Sequence, residues 1–571
     1  MKSIGSRAGA LAFAAALALG IAVRAVAFAN CRSLGLDEAR LAVNIAARSF
    51  AGLLSPLALD QSAPPLFLWA ERLAITLFGP SDCALRVLPV AAGIAVALLM
   101  YPLATRVLAP LEARLAAMLV SCCPLLITYS NAVKQYSLEA LTAVVFLLIW
   151  GRALAAGTGR RATMGLVVAG TVAPWLSLTS TFFLAACWVH LAFTARRKPS
   201  GLPLFSAATV VWGVSWLVAY LGVYRVASDS AYMHRFWELA FLTPARPGFV
   251  GSLWRSIEDL VWGFVAGDPL MERRPYLGLL HTGTVLVLVL CALGAARVRR
   301  TRGLQGLWWL CGGCLFALGA SMLGAFPIAP RLTLFAIPSL VVLFVAGLSA
   351  AVAWRGAVPE RRALRVLGAV VVLALAARAV TGVLELEPSG HFRRLVRELG
   401  ERRAAGEPVY IFARSLPAWI YYSTDWSHPD ALRLDCLVRA ARAGGWAFEN
   451  TPSRARVALP APDDPATKGC GSGEILGLPS GMEWREVQGH LRSQPDSGWV
   501  EVESNRIRSA ATPGIWVLAS SYYAAETGLF QALEDAASRR TFAHLRSGSA
   551  LVRYEFVPPS TMAGRKGGRE R

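Results

Sequence analysis

Charge is what this chain has least of: only 16% of its 571 residues are Asp, Glu, Lys or Arg, where an ordinary soluble protein carries about a quarter. The deficit lies in long apolar blocks, which excludes a soluble globular fold and is the signature of a bilayer protein. Histidine is scarce, at seven residues, and these do not cluster at metal-ligand spacing. There is no P-loop and no G-x-G-x-x-G following a strand, which argues against a cytosolic nucleotide donor. The C-x-x-C run Cys311-Gly312-Gly313-Cys314 sits inside an apolar stretch without a second pair, so it reads as packing rather than as a redox or metal centre.

Positive charge, by contrast, is in excess: 57 Lys and Arg against 36 Asp and Glu, a formal net charge of +21. Nucleic-acid binding is excluded by the distribution, because the basic residues fall in short clusters between apolar blocks. Lys2 and Arg7 precede the first block. Arg160-Arg161, Arg196-Arg197-Lys198, Arg297 to Arg302 and Arg355 to Arg365 separate later ones. Such clusters stay on the cytoplasmic side and orient membrane helices.

Span length predicts about eleven transmembrane helices, at 8–29, 86–108, 114–129, 137–153, 163–180, 181–195, 203–224, 276–296, 305–326, 332–353 and 365–385. The first ends in small residues, as a cleaved signal peptide would. Arg24 interrupts it just before that point, and it is read here as an uncleaved first span. With a cytoplasmic N-terminus all the basic clusters fall on one side. Three segments are then expected outside the cytoplasm: a first loop (30–85), a middle loop (225–275) and everything after about 386. The expected organisation is a membrane domain over 1–385, a soluble extracytoplasmic α/β domain over 386–560 and a disordered basic tail over 561–571. In the soluble part, His391 to Gly400 reads as an amphipathic helix and Pro408 to Phe412 as a buried strand. Ile515 to Ala519 and Ala550 to Phe556 read as further strands, with a helix between them near Thr527 to Ser538.

The first loop opens Leu34-Gly35-Leu36-Asp37-Glu38-Ala39-Arg40. Two adjacent acids directly after a span lie near the interface, where desolvation raises proton affinity, and this suits a general base. The competing reading is that Asp37 caps the amphipathic helix Glu38 to Phe50. Farther on, Asp60-Gln61-Ser62-Ala63-Pro64-Pro65-Leu66-Phe67 opens an apolar helix that suits the membrane interface, with its two prolines preset for a helix start.

In this order, the Asp-Glu pair, the Gln-Ser-Ala-Pro-Pro-Leu-Phe turn and Leu85-Arg86-Val87-Leu88-Pro89 resemble the GT-C glycosyltransferases. The nearest branch holds the dolichyl-phosphate-mannose protein mannosyltransferases and the aminoarabinose transferases. The likeness continues through Tyr129-Ser130-Asn131-Ala132-Val133-Lys134-Gln135-Tyr136 and Ala329-Pro330-Arg331-Leu332. The resemblance implies a polytopic α-helical fold and transfer of a sugar from a polyprenyl-phosphate donor to an acceptor hydroxyl on a lipid, glycan or protein. It places that transfer at the outer face of a bacterial inner membrane. It also implies Asp37 as the acid/base group, with Glu38 beside it. Some members carry an acid and a Lys just before the Pro of the second motif, holding metal and carrier phosphate. Here Ser62-Ala63 stand there, with Asp60 and Gln61 upstream, which leaves a divalent metal open. A phosphate at a low-dielectric interface still requires positive charge. The basic residues expected on the outer side are Lys134, flanked by Tyr129 and Tyr136, then Arg331, His234 and Arg235. Two pairs of cysteines lie in outer segments, Cys31 with Cys83 and Cys436 with Cys470, and the second is favoured as a disulfide. The alternative function is a transporter or flippase of lipid-linked sugars. Against it stand the absence of an internal repeat and the position of the acids in a loop rather than in a span.

Overall fold

In the computed structural model the described residues are 2–59, 61–156, 160–267, 276–355, 360–385 and 391–404. Beyond these it describes 407, 409–411, 415–424, 426, 457–458, 475–477, 500–501, 504–505, 507–508, 514–520, 524–546 and 549–556. Asp60, Cys436, Cys470 and the tail 561–571 lie outside them.

The chain divides into two units. The first comprises residues 1–31, 50–56 and 62–387, and its regular elements among the described residues are all helices. Its longer helices are α1 (Lys2–Ala29), α3 (Pro65–Phe78), α4 (Val87–Ala104), α5 (Pro110–Ser121), α6 (Pro124–Ser130), α7 (Tyr136–Ala156), α8 (Arg160–Leu176), α9 (Ser180–Arg197) and α10 (Leu202–Ala219). They continue with α11 (Phe249–Ala266), α12 (Leu277–Met322), α13 (Ile337–Arg355) and α14 (Glu360–Glu385); α2 (Leu36–Ala47) belongs to the second unit. Among the described residues, seven helices are long and apolar enough to cross a membrane, or eight if the bent pair α5–α6 is one span. This is a multi-pass membrane protein.

The expected spans meet the structure with three differences. The stretch read as one span at 114–129 is bent by 50° between α5 and α6, where Pro124 opens the second piece and cannot continue the first. The spans read at 276–296 and 305–326 emerge as one 46-residue run, α12, broken at Gly303, whose φ of +69° is open to glycine. Helices α8, of 17 residues, and α9, of 18 residues, form where expected but are not among those seven. The core is dominated by α4, α5, α7, α9, α12 and α13. Helices α12 and α13 pack at backbone distance: a Cβ on Gly294 would collide with the carbonyl of Leu343, and one on Gly347 with that of Leu290. Cys31 and Cys83, both in this unit, form a disulfide with Cα atoms 5.1 Å apart. Cys311 and Cys314 are free thiols.

The second unit comprises residues 32–49, 57–61 and 388–571, so the first loop contributes helix α2 to it. Helices α15 (His391–Arg402) and α16 (Leu416–Ser423) pack on one another, and α16 packs on α2. The sheet runs β2 (Val457–Ala458), β3 (Ile475–Gly477), β1 (Val409–Ile411), β4 (Gly514–Ser520), β6 (Ser549–Glu555), β5 (Arg539–Arg546). Strands β3, β1 and β4 are parallel, and β6 and β5 are added antiparallel. Strand β4 is buried on both faces, as a central strand must be. Ile515, Val517 and Ala519 face Leu529 and Leu533 of helix α17 (Ala524–Ala536). Near the start of β1 the Glu407 carboxylate accepts hydrogen bonds from Trp516 Nε1 at 2.7 Å and Arg553 Nε at 2.5 Å.

Candidate functional site

Within the second unit, the acids of the first loop sit on the opening turn of α2. Gly35 occupies the N-cap, so Asp37 is not the cap. The capping acid is Glu38, whose Oε2 accepts the Gly35 N–H at 2.8 Å. This is the N3 carboxylate reaching back to the cap backbone, and it also favours the positive end of the helix dipole. Glu38 is buried and lies 3.5 Å from the guanidinium of Arg32. Asp37, by contrast, is half-buried one residue earlier in the same turn. Asn44 secures the far side of α2, donating to the Ala58 carbonyl at 3.0 Å and accepting the Ala58 N–H at 2.8 Å. The Leu34 N–H donates to Tyr422 Oη at 2.6 Å, tying the loop to α16. Gln61 turns back on the chain, its Nε2 donating to the Leu59 carbonyl at 3.0 Å.

In the first unit, Pro64 stands at the N-cap of α3 and Pro65 at its first position, as the double-proline motif implied. The Trp69 indole donates to the Phe50 carbonyl at 2.8 Å. On the same helix Glu71 is wholly buried, with no hydrogen-bond partner for either carboxyl oxygen among the described residues. Burial pushes this carboxyl well above its ordinary range, and the nearby Arg86 guanidinium opposes the shift without cancelling it.

The turn between α6 and α7 gathers the basic groups. Lys134 is half-buried there, its backbone N–H bonded to the Ala132 carbonyl at 2.7 Å. The rings of Tyr129 and Tyr136 meet edge to face across the turn at 5.4 Å. Two fully buried arginines hold the residues just before Lys134. Arg86 Nε donates to the Asn131 carbonyl at 2.8 Å. Arg24 Nε donates to Ser130 Oγ at 3.2 Å, and its Nη1 donates to the carbonyls of Ser121 at 2.7 Å and Gly20 at 2.9 Å. A cation in a bilayer span costs about 2.5–3.5 kcal/mol on insertion scales, so such residues are retained for a role.

Arg331 lies on a turn (Pro330–Leu332) whose neighbour Pro330 faces Gly263 of α11, and Leu125 of α6 lies against the same glycine. The start of α6 and the Arg331 turn thus both touch α11 at Gly263. The Arg331 guanidinium sits over the ring of Trp237 at 4.8 Å and that of Phe236 at 5.9 Å, a cation–π seat that fixes its direction. His234 is exposed, its Nε2 at 2.8 Å from the Ser228 carbonyl and its ring stacked on Phe241. The side chain of Arg235 lies outside the described residues. Among the described residues no three His, Cys, Asp or Glu side chains gather as metal ligands would.

Sequence reading passed over three of these groups. Arg24 registered only as an interruption of an apolar run, Arg86 only as part of a motif, and Glu71 not at all. The usable signal was the same in each case: a charge on an otherwise apolar helical stretch.

Residues 62–220 match the family model described as dolichyl-phosphate-mannose-protein mannosyltransferase. No curated protein matches the chain in sequence. In fold it is similar to apo ArnT of Cupriavidus metallidurans, with a TM-score of 0.50 at 13% identity over 96% of this chain and 98% of that one. Against ArnT bound to undecaprenyl phosphate the TM-score is 0.46 at 13% identity, over 94% and 97%. Against the apo Archaeoglobus fulgidus oligosaccharyltransferase it is 0.42 at 14% identity, over 71% and 63%. The chain has the GT-C fold and resembles the mannosyltransferase and aminoarabinose transferase branch.

Proposed function

We propose that the protein is a membrane glycosyltransferase that moves a sugar from a polyprenyl-phosphate carrier to an acceptor hydroxyl, at the outer face of a bacterial inner membrane. One observation carries the reading. The stretch matched by the mannosyltransferase family model, 62–220, contains the double-proline start of α3, Arg86 and the Lys134 turn. Arg86, fully buried there, holds the start of the turn that carries Lys134. ArnT, whose fold is similar, has been seen with undecaprenyl phosphate bound, a donor carrier of the chemistry proposed here.

On this reading Asp37 takes the proton of the acceptor hydroxyl as its oxygen attacks the anomeric carbon. The bond from that carbon to the phosphate oxygen breaks, and the electron pair stays on the phosphate. The leaving group departs as an anion, so the need is for fixed positive charge rather than for a general acid. Lys134 is the residue proposed to meet that phosphate, with Arg331 as the second cation. Glu38, engaged at the helix cap, supports Asp37 by holding the turn. The family resemblance implies inversion at the anomeric carbon.

The test is direct. Purified protein in liposomes is given undecaprenyl-phosphate-linked sugars and an acceptor extract, and transfer is followed by mass spectrometry. Asp37→Asn is expected to lose transfer while keeping its elution profile and melting temperature. Near-normal turnover by that variant would remove Asp37 from the mechanism. Comparing cell-surface glycans with and without the gene identifies the sugar, and unchanged glycans together with vesicle uptake of lipid-linked sugar would favour a transporter.

A further inference from the structure

The buried arginine of the first span is left unused by this mechanism. Arg24 lies five residues inside the end of α1, about 7.5 Å along the helix, with no exposed surface. Its three nitrogens are deployed unevenly. Nη1 spans the carbonyls of Gly20, on its own helix, and Ser121, the last residue of α5. Nε reaches Ser130 Oγ, at the end of α6, and Nη2 has no partner among the described residues. One guanidinium therefore grips both arms of the 50° bend. The Ser130 hydroxyl in turn donates to the Leu126 carbonyl at 2.5 Å.

The next residue is held from another direction, Asn131 offering its carbonyl to Arg86. Beyond it the chain folds back through bonds from Asn131 N–H to the Thr128 carbonyl and from Ala132 N–H to the Tyr129 carbonyl, at 3.1 and 3.4 Å. Lys134 then rides on a turn whose start is fixed by two buried cations and whose sides are braced by two tyrosines. A guanidinium fork is suited to this because its donors are set in one plane and lose little freedom on binding.

We infer that Arg24 is a positioning residue: through Ser130 it fixes the turn that presents Lys134 to an anionic lipid phosphate. The inference rests on the reading of Lys134 given above. A purely structural role for Arg24, closing the carbonyls freed at the bend, would destabilise the chain when disturbed but would not be coupled to Lys134.

The experiment measures binding of undecaprenyl phosphate to the full-length protein in detergent for wild type, Ser130→Ala, Lys134→Ala and the double variant. Ser130→Ala is chosen because it loosens the grip of Arg24 while keeping the buried charge, whereas Arg24→Ala endangers folding. Ser130→Ala is expected to weaken binding about tenfold, equivalent to about 1.4 kcal/mol. Lys134→Ala is expected to weaken it at least as much, and the double variant no further than Lys134→Ala. Additive losses, or wild-type affinity in Ser130→Ala, would overturn the inference and leave the proposed function standing. Wild-type affinity in Lys134→Ala would overturn both the phosphate role of Lys134 and this inference. No binding by the wild type would remove the donor reading and the inference with it.

Discussion

Glu71 gives the sharpest test of the physical argument, because it asks a buried acid to report its own surroundings. Its carboxyl has no exposed surface, and both oxygens lack partners among the described residues. Burial raises its proton affinity well above the ordinary 4.5, the Arg86 guanidinium pulling in the opposite direction and losing. The sign follows by linkage. A folded value above the unfolded one means that the folded state binds the proton more tightly. The contribution of Glu71 is then full below pH 4.5 and is lost as pH rises through the folded value. Over that interval the loss is about 1.4 kcal/mol per pH unit. Glu71→Gln keeps the shape of the neutral acid and removes the titration. It should match wild type near pH 4.5 and become progressively the more stable of the two toward pH 8. The assay is thermal unfolding in detergent, followed by tryptophan fluorescence at steps between pH 4.5 and 8. A difference in melting temperature that does not change with pH, or one that shrinks as pH rises, would refute the reasoning. The carboxyl would then be ionised and held by Arg86.

Further outcomes are expected from other contacts. Breaking the Cys31–Cys83 bridge with Cys83→Ser releases a loop closed over a separation of 52 residues, and chain entropy puts the cost at about 4 kcal/mol. Reducing agent should lower the melting temperature of wild type but not of the variant, and an equal response in both would count against the bridge. Glu407→Gln, which weakens the bonds from Trp516 and Arg553, should cost the second unit about 1.5–3 kcal/mol. Burial pushes the Glu407 carboxyl up, but the hydrogen bonds from Trp516, Arg553 and the Ala404 N–H outweigh it and hold the value below 4.5. That stability is therefore present above pH 4.5 and lost as pH falls through the lowered value. A Glu407→Gln deficit that persists undiminished in strong acid would contradict this. Gly347→Leu would drive a side chain into the Leu290 carbonyl and should abolish folded protein on size exclusion, and a normal profile would show that α12 and α13 separate at little cost.

The sequence was most legible where one physical rule acted alone. Apolar length marked most of the helices of the first unit, and Pro64-Pro65, readable as a helix start or a turn, lie at the start of α3. The strand at Ile515–Ala519 was readable because it is buried on both faces and so apolar throughout. The edge strand β5, Arg-Arg-Thr-Phe-Ala-His-Leu-Arg, which pairs with β6, was not read as a strand, since it sits at the end of the sheet and carries solvent-facing charge. Charged edges of this kind discourage pairing with other chains. The division of the first loop was also hidden, because periodicity marks α2 as amphipathic without saying what it packs on. Only the contacts with α16 assign it to the second unit. For the candidate site, the family resemblance together with residue type put forward Asp37 and Lys134. Which acid caps α2 depended on the backbone conformation at Gly35, which no composition rule supplies.

The bend between α5 and α6 joins these threads. A straight helix would satisfy its own backbone, and irregular chain at membrane depth is tolerated only where protein groups replace the lost bonds. Here the replacement at Ser121 is a cation from another span, itself costly to bury. Two unfavourable features, a broken helix and a buried charge, thus satisfy one another, and neither would survive alone. Proline at 124 makes the break obligatory, and Arg24 makes it tolerable. What the pair achieves is a fixed direction for α6, whose end hands Asn131 to Arg86 and carries Lys134 on the turn that follows. Packing alone would have favoured continuous leucine-rich helices at this point. The chain instead places two fully buried arginines at one turn, which is the arrangement expected if the direction of that turn, rather than the stability of the bundle, is what these two charges serve.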